Sequence, residues 1–173
     1  PGITTATGRR CAVGRKGKSP SWFDCSEALG RGRFRSYHLP VSQTIACELV
    51  VRASPERAFA AFTEVREVLK WLADGAVIGQ REGGRWGLGW YSDPEGTSGY
   101  NIVGVFEEFE PPLGFVVREL TFTTPEDEEL GPMTLTIGFE AVSPEETRIA
   151  VVQQGVGEEP AWDAYRAGLG ISW

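Results

Sequence analysis

From Gln43 onward the apolar positions settle into short periodic runs. Ile45, Cys47, Leu49 and Val51 alternate with Ala46, Glu48, Val50 and Arg52, the period of two that marks a strand. Ser54-Pro55-Glu56-Arg57 follows. Ser54 suits a helix cap, Pro55 the first helical position, and Glu56 the positive end of the helix dipole. Ala58, Phe59, Ala61 and Phe62 supply the buried side of that helix. A second short helix is predicted from Val65, Val68, Leu69 and Leu72, with Trp71 beside them and Asp74-Gly75 ending it.

Beyond that point the pattern is β. Gly83-Gly84 turns the chain into a strand with Trp86, Leu88 and Trp90 on one face and Arg85, Gly87 and Gly89 on the other. Strands are predicted over Tyr100–Phe106, Phe115–Phe122, Met133–Val142 and Thr147–Gln154, separated by Pro- and Gly-rich turns and by an acidic loop from Pro125 to Gly131. Helical signals return over Ala161–Leu169. The order β-α-α-β-β-β-β-β and then a helix predicts an α+β domain built on an antiparallel meander. A sheet of that size needs a covered face. Two helices of about two turns each cover little, so the sheet is expected to curve around a long helix, side chains or a ligand.

Residues 1–40 carry no usable period, and residues 41–173 form the predicted domain. Charge divides the same way. The first forty residues hold eight Lys or Arg and two acids, and the remainder nine and twenty-two, within a net −7. The basic head is expected to be an unordered extension, resembling a transit peptide in its Arg-rich, acid-poor composition or representing translated upstream sequence; anion binding is its alternative use. The acidic body argues against nucleic acid as a partner. No run of 18 apolar residues and no signal peptide is visible, so a cytoplasmic location without a membrane span is expected.

Cys11, Cys25 and Cys47 are odd in number and widely spaced, which predicts neither a disulfide framework nor a zinc site; Cys47 reads as a small core residue. His38 is the single histidine and lies in the extension, so Ser-His-Asp or Cys-His catalysis is excluded inside the domain. The acidic clusters sit in or beside turns, where neighbouring strand carboxylates point to opposite faces, and no metal or cofactor is expected. Glu119, mid-strand among Val117, Leu120 and Thr121, is the single catalytic candidate. Buried, it would be a usable general acid or base; facing solvent, it is an ordinary surface carboxylate. Trp71, Trp86, Trp90, Tyr100, Phe115 and Trp162 are the candidates for lining an internal ligand cavity, with plain core packing as the alternative for each. Trp86 and Trp90 have the stronger case, because flanking glycines permit close approach or bending.

Five stretches in order carry a family resemblance: Ala53-Ser54-Pro55-Glu56-Arg57-Ala58-Phe59, Leu69-Lys70-Trp71, Glu82-Gly83-Gly84-Arg85-Trp86, Gly104 through Pro112 with its Pro-Pro turn, and Thr147 through Gly155. Together they resemble the START-like or Bet v-like (SRPBCC) superfamily, and within it the activator of heat-shock protein 90 ATPase homologue family. The resemblance implies the helix-grip fold and three uses. The first is binding of a small apolar ligand such as a lipid, polyketide or aromatic compound. The second is a chaperone-linked interaction with heat-shock protein 90. The third is cyclase- or dehydratase-type catalysis through an inward carboxylate such as Glu119. Relatives continue into a long C-terminal helix, whereas this sequence stops at Trp173. Most of that helix is therefore expected to be truncated: either the sequence is a fragment, or another chain fills the groove, as in a dimer, and ligand binding is expected to be impaired unless a neighbour substitutes.

Overall fold

A computed structural model of the chain describes residues 9–14, 43–93, 95, 96, 98–157, 160–163, 165 and 166. Its elements are β1 (Arg9–Gly14), β2 (Gln43–Val51), α1 (Pro55–Thr63), α2 (Val65–Val68), β3 (Gly75–Ile78), β4 (Arg85–Tyr91), β5 (Gly99–Glu110), β6 (Gly114–Thr123), β7 (Glu129–Ser143), β8 (Glu146–Val156) and a 3₁₀ turn (Pro160–Trp162). The eight strands form one antiparallel sheet in the order β1-β2-β8-β7-β6-β5-β4-β3. Strands β3 to β8 are a simple meander whose last strand returns to pair with β2. The two helices bridge from β2 to β3 at the far edge of the sheet. Among the described residues no helix is long and apolar enough to cross a membrane.

The expected α+β architecture is borne out, and two strands join it. β3 is a four-residue edge strand without a distinct alternation. β1 lies inside the stretch from which no element was predicted, and it pairs with β2 from Arg9↔Leu49 to Gly14↔Thr44. The rest of that extension, His38 included, lies outside the described residues. So does the end of the helix predicted over Ala161–Leu169.

Helix α1 starts as its sequence dictates. The Ser54 hydroxyl accepts from the Arg57 amide at 3.4 Å, with Pro55 in the first turn. Hydrogen bonds from its own backbone and from Ser54 hold the Glu56 carboxyl below its ordinary range. The buried face of α1 carries Ala58, Phe59, Ala61 and Phe62. In the following turns Val68 and Leu72 are buried, whereas Val65 and Leu69 stay exposed.

The inner face of the sheet carries Ile45, Cys47 and Val51 of β2, Met133, Leu135, Ile137 and Phe139 of β7, and Ile149 and Val151 of β8, all in one apolar cluster with α1. The outer face is mixed. Ala46, Ala150 and Val152 form a small buried group there. Close by, Arg148 pairs with Glu140 at 2.7 Å and Glu48 at 3.6 Å.

The expectation of a plain thiol at Cys47 is overturned: Cys47 is disulfide-bonded. Linear spacing could not indicate this, because a cross-strand link depends on sheet register. The residue opposite Cys47 across the β1–β2 ladder is Cys11.

Candidate functional site

Cross-strand rows order the inner face. At one end stands Phe139–Ile149–Leu49. Next comes Phe109–Phe115–Ile137–Val151–Cys47, then Phe106–Val117–Leu135–Gln153–Ile45. At the far end lies Ile102–Phe122–Leu130. Gln153, in the third row, is the one amide among these side chains.

Under α1 the interior is a knot of phenylalanines. Phe59 meets Phe109, Phe115 and Phe139 edge-on at centroid distances of 5.4, 6.0 and 5.4 Å, and Phe62 meets Phe139 at 5.6 Å. Such T-shaped contacts are the favourable geometry for ring quadrupoles and fill space densely.

The other end holds a relay of mixed aromatics. Trp90 and Tyr100 face each other across β4 and β5. Tyr100 stacks on Phe122 at 5.6 Å, Phe122 meets Tyr165 at 4.8 Å, and Tyr165 meets Trp162 at 5.7 Å. Gln153 points into this group from β8. Its side-chain amide donates to the Tyr165 hydroxyl and lies 3.2 Å from the Met133 sulfur. Gln153 is 2 % exposed and Tyr165 5 %. Burial pushes the Tyr165 phenol above its ordinary value, and the hydrogen bond from Gln153 partly opposes that. An amide placed in an apolar interior is costly unless paired, so this pair is a polar anchor enclosed by rings. The buried hydroxyls of Thr63 and Thr147 differ in kind, because each donates to a nearby main-chain carbonyl, of Phe59 and Ala53 respectively.

The six aromatic candidates therefore divide. Trp90, Tyr100 and Trp162 belong to the relay. Phe115 is in the phenylalanine knot, fully buried. Trp86 is buried too, and its indole N–H donates to the Phe62 carbonyl at 3.4 Å. Trp71 is 46 % exposed, edge-on to Phe62 at 5.0 Å, with its N–H on the Ala61 carbonyl at 3.0 Å. Trp90 donates to the Leu72 carbonyl at 2.6 Å, and the Gln80 amide to the Thr63 carbonyl at 2.9 Å. The last carbonyls of α1 lack intrahelical partners. Here Trp71, Trp86 and Gln80 supply them. The indole N–H groups of Trp71 and Trp86 thus act as helix caps and that of Trp90 is taken by a turn carbonyl, leaving the rings of these three for apolar contact. The glycines beside Trp90 are not forced by crowding: a Cβ on Gly89 would meet nothing nearer than the Tyr100 carbonyl at 3.8 Å.

Glu119 faces solvent, one of its two expected placements, but by an irregular route. A regular strand was expected through Arg118-Glu119, but the β6–β7 register skips between Val117 and Leu120, and Glu119 takes φ +53 and is exposed. Arg118 pairs with Glu107 at 2.8 Å. Opposite this bulge Gly104 is needed, since a Cβ there would stand 2.6 Å from Val117 and 2.7 Å from the Arg118 carbonyl. Bulges re-aim side chains, and this one turns the carboxylate out to water. Gln153, Met133, Phe122 and Tyr165 were not singled out from sequence. The signal for Gln153 was a polar residue in phase with Ile149 and Val151.

A curved antiparallel sheet with two helices packed in its inner face is a helix-grip domain of the START-like class. Residues 52–173 match the family model described as Activator of Hsp90 ATPase homolog 1-like protein, and the chain belongs to that family. Solved structures agree on the fold. An HSP90 activator from Plasmodium falciparum superposes with a TM-score of 0.55 at 20 % identity, over 75 % of this chain and 87 % of that one. The AHSA1 protein from Silicibacter pomeroyi gives 0.56 at 16 %, over 72 % and 88 %. Protein CV1439 from Chromobacterium violaceum gives 0.54 at 25 %, over 70 % and 86 %. A search of the curated proteins finds no match.

Proposed function

We propose that this chain is a binding domain for a small, largely apolar molecule carrying one hydrogen-bonding group, taken up at the Trp90–Tyr100–Phe122–Tyr165–Trp162 end of the sheet. The observation that carries the reading is the buried Gln153–Tyr165 pair set among aromatic rings. Ligand sites combine apolar walls with a few convergent polar groups, and this end of the inner face has both. In the reading, a ligand hydroxyl or carbonyl takes the place of the Tyr165 hydroxyl on the Gln153 amide, and the turn bearing Trp162 and Tyr165 moves aside. The phenylalanine knot stays packed.

Native mass spectrometry of the full chain with matched pairs of compounds tests this. Each pair is an alkyl or aromatic hydrocarbon and the same skeleton bearing one hydroxyl or carbonyl. One equivalent is expected to bind, the polar member about tenfold tighter, since a hydrogen bond to a buried site is worth about 1 kcal/mol or somewhat more. Equal binding of both members, or none, ends the proposal.

The family's description supports a second reading, contact with heat-shock protein 90. A pull-down with that chaperone's middle domain, set beside its ATPase rate, decides it. Neither retention nor stimulation is the outcome that removes it.

A further inference from the structure

We propose that Cys47 is bonded to Cys11, and that this link is a redox-sensitive clip holding β1 on the edge of the sheet. Cys47 is disulfide-bonded, and the chain offers two partners, Cys11 and Cys25. The β1–β2 register places Cys11 directly opposite Cys47. Directly opposed residues of antiparallel strands lie about 4.5–5.5 Å apart at Cα. That falls inside the window of about 4.4–6.8 Å that a disulfide spans. The register alone therefore selects Cys11.

The position gives the link a job. β1 is the terminal strand of the sheet and pairs with β2 alone. It is six residues long and joined to β2 by a long connection, residues 15–42. A short edge strand on a long connection gains little from its single ladder against the entropy of closing the loop. A covalent tie removes much of that entropy from the open state. With the tie cut, β1 belongs to the class of elements that open locally, and the β2 edge presents unpaired amide and carbonyl groups. Cys47 is 3 % exposed on the inner face, one cross-strand pair along β8 from Gln153: Cys47 faces Val151 and Ile45 faces Gln153. Release of β1 thus loosens the wall next to the Gln153–Tyr165 pair.

The chemistry is thiol–disulfide exchange with a low-molecular-weight disulfide such as oxidised glutathione. The two cysteine thiols lose two protons and two electrons as the S–S bond forms, and the glutathione disulfide accepts them to become two thiols. A dithiol reductant reverses the step and is itself oxidised to a cyclic disulfide.

The test uses the full chain purified without reductant, with peptide mapping, thiol counting and amide hydrogen exchange. A cross-linked peptide joining Cys11 to Cys47 is expected, with one free thiol before dithiothreitol and three after. On reduction, the β2 amides bonded to β1 are expected to exchange at least about tenfold faster, while those bonded to β8 keep their rate. Cys11→Ser should reproduce the reduced pattern, and Cys25→Ser the oxidised one. A peptide joining Cys25 to Cys47, three free thiols at the outset, or unchanged exchange after reduction each overturns the proposal. Cys11 lies in the terminal strand, which pairs with β2 alone, so its variant reports even if Cys47→Ser fails to fold.

Discussion

The two ends of the inner face are built from the same kinds of residue and solve different problems. Under α1, Phe59, Phe62, Phe109, Phe115 and Phe139 interlock with no polar atom among their side chains. At the other end, Tyr100, Phe122, Tyr165 and Trp162 form a similar ring-on-ring series, but two of the rings carry hydroxyls and Gln153 lies beneath them. The first end is held by shape and dispersion. The second is held partly by one hydrogen bond that a ligand could make instead. Rings alone carry no proposal of a site; the buried Gln153–Tyr165 hydrogen bond among them is what motivates one.

The largest effect should separate the ends most clearly. Phe115→Ala removes a fully buried ring with neighbours on several sides. It is expected to cost about 3–5 kcal/mol, the range for large-to-small core changes that leave a cavity, read from the shift of a guanidinium unfolding midpoint at constant slope. Binding of the polar test compound, measured where the variant remains folded, should stay within about threefold. A stability loss below about 1 kcal/mol would mean that the knot yields easily, and the contrast between the ends would fail.

The middle effect comes from the polar anchor. Gln153→Leu leaves the Tyr165 hydroxyl buried without its donor, and is expected to cost about 1–3 kcal/mol. Tyr165→Phe should cost a similar amount by stranding the amide. Combining them removes both polar groups and should cost less than either alone, a coupling of about 1 kcal/mol or more. Alkali offers a second readout. Below the ordinary phenol value of 10.0, folded and unfolded chains both keep the Tyr165 proton. Above it the unfolded chain loses the proton while the folded chain retains it, so the folded state binds more protons and stability falls as pH rises. This contribution has a limiting slope of about 1.4 kcal/mol per pH unit. Tyr165→Phe should remove it from unfolding curves taken above about pH 10. Simple additivity together with an unchanged alkaline slope would reduce the anchor to a surface tyrosine.

Most of the sheet could be read in advance because its inner positions obey a period of two over long strands, as in Ile45–Val51 and Met133–Phe139. What could not be read has a local cause in each case. β3 is four residues at an edge, too short to show a period. β1 is separated from its partner by residues 15–42, and the register that opposes Cys11 to Cys47 is not written in their spacing. Glu119 obeys the alternation on paper, but the bulge after Val117 breaks it. The aromatic candidates were chosen by residue type, and type cannot say whether an indole N–H faces a ligand or a helix end. Gln153 was legible as a polar residue on an apolar parity; its partner Tyr165 was not, since their meeting depends on how the 3₁₀ turn folds back.

The smallest effect tests the line between structural and binding tryptophans. Trp71 rests on Phe62 and supplies the Ala61 carbonyl, and nearly half of it remains in water. Trp71→Phe keeps an aromatic ring against Phe62 and removes the donor. Ala61 itself is buried, but the Trp71 ring over it is 46 % exposed, and trimming that indole to a phenyl opens a path for water to the carbonyl, so the cost should sit at the lower end of the hydrogen-bond range, about 0.5 kcal/mol. The same change at Trp90 removes a donor from the Leu72 carbonyl and also alters a ring facing Tyr100. Affinity for the polar test compound should therefore move with Trp90→Phe and hold with Trp71→Phe, by isothermal titration on both variants. Were Trp71→Phe to weaken binding as much as Trp90→Phe, the site would have to extend across the helix pair to the α1 terminus, and the caps would belong to the binding surface after all.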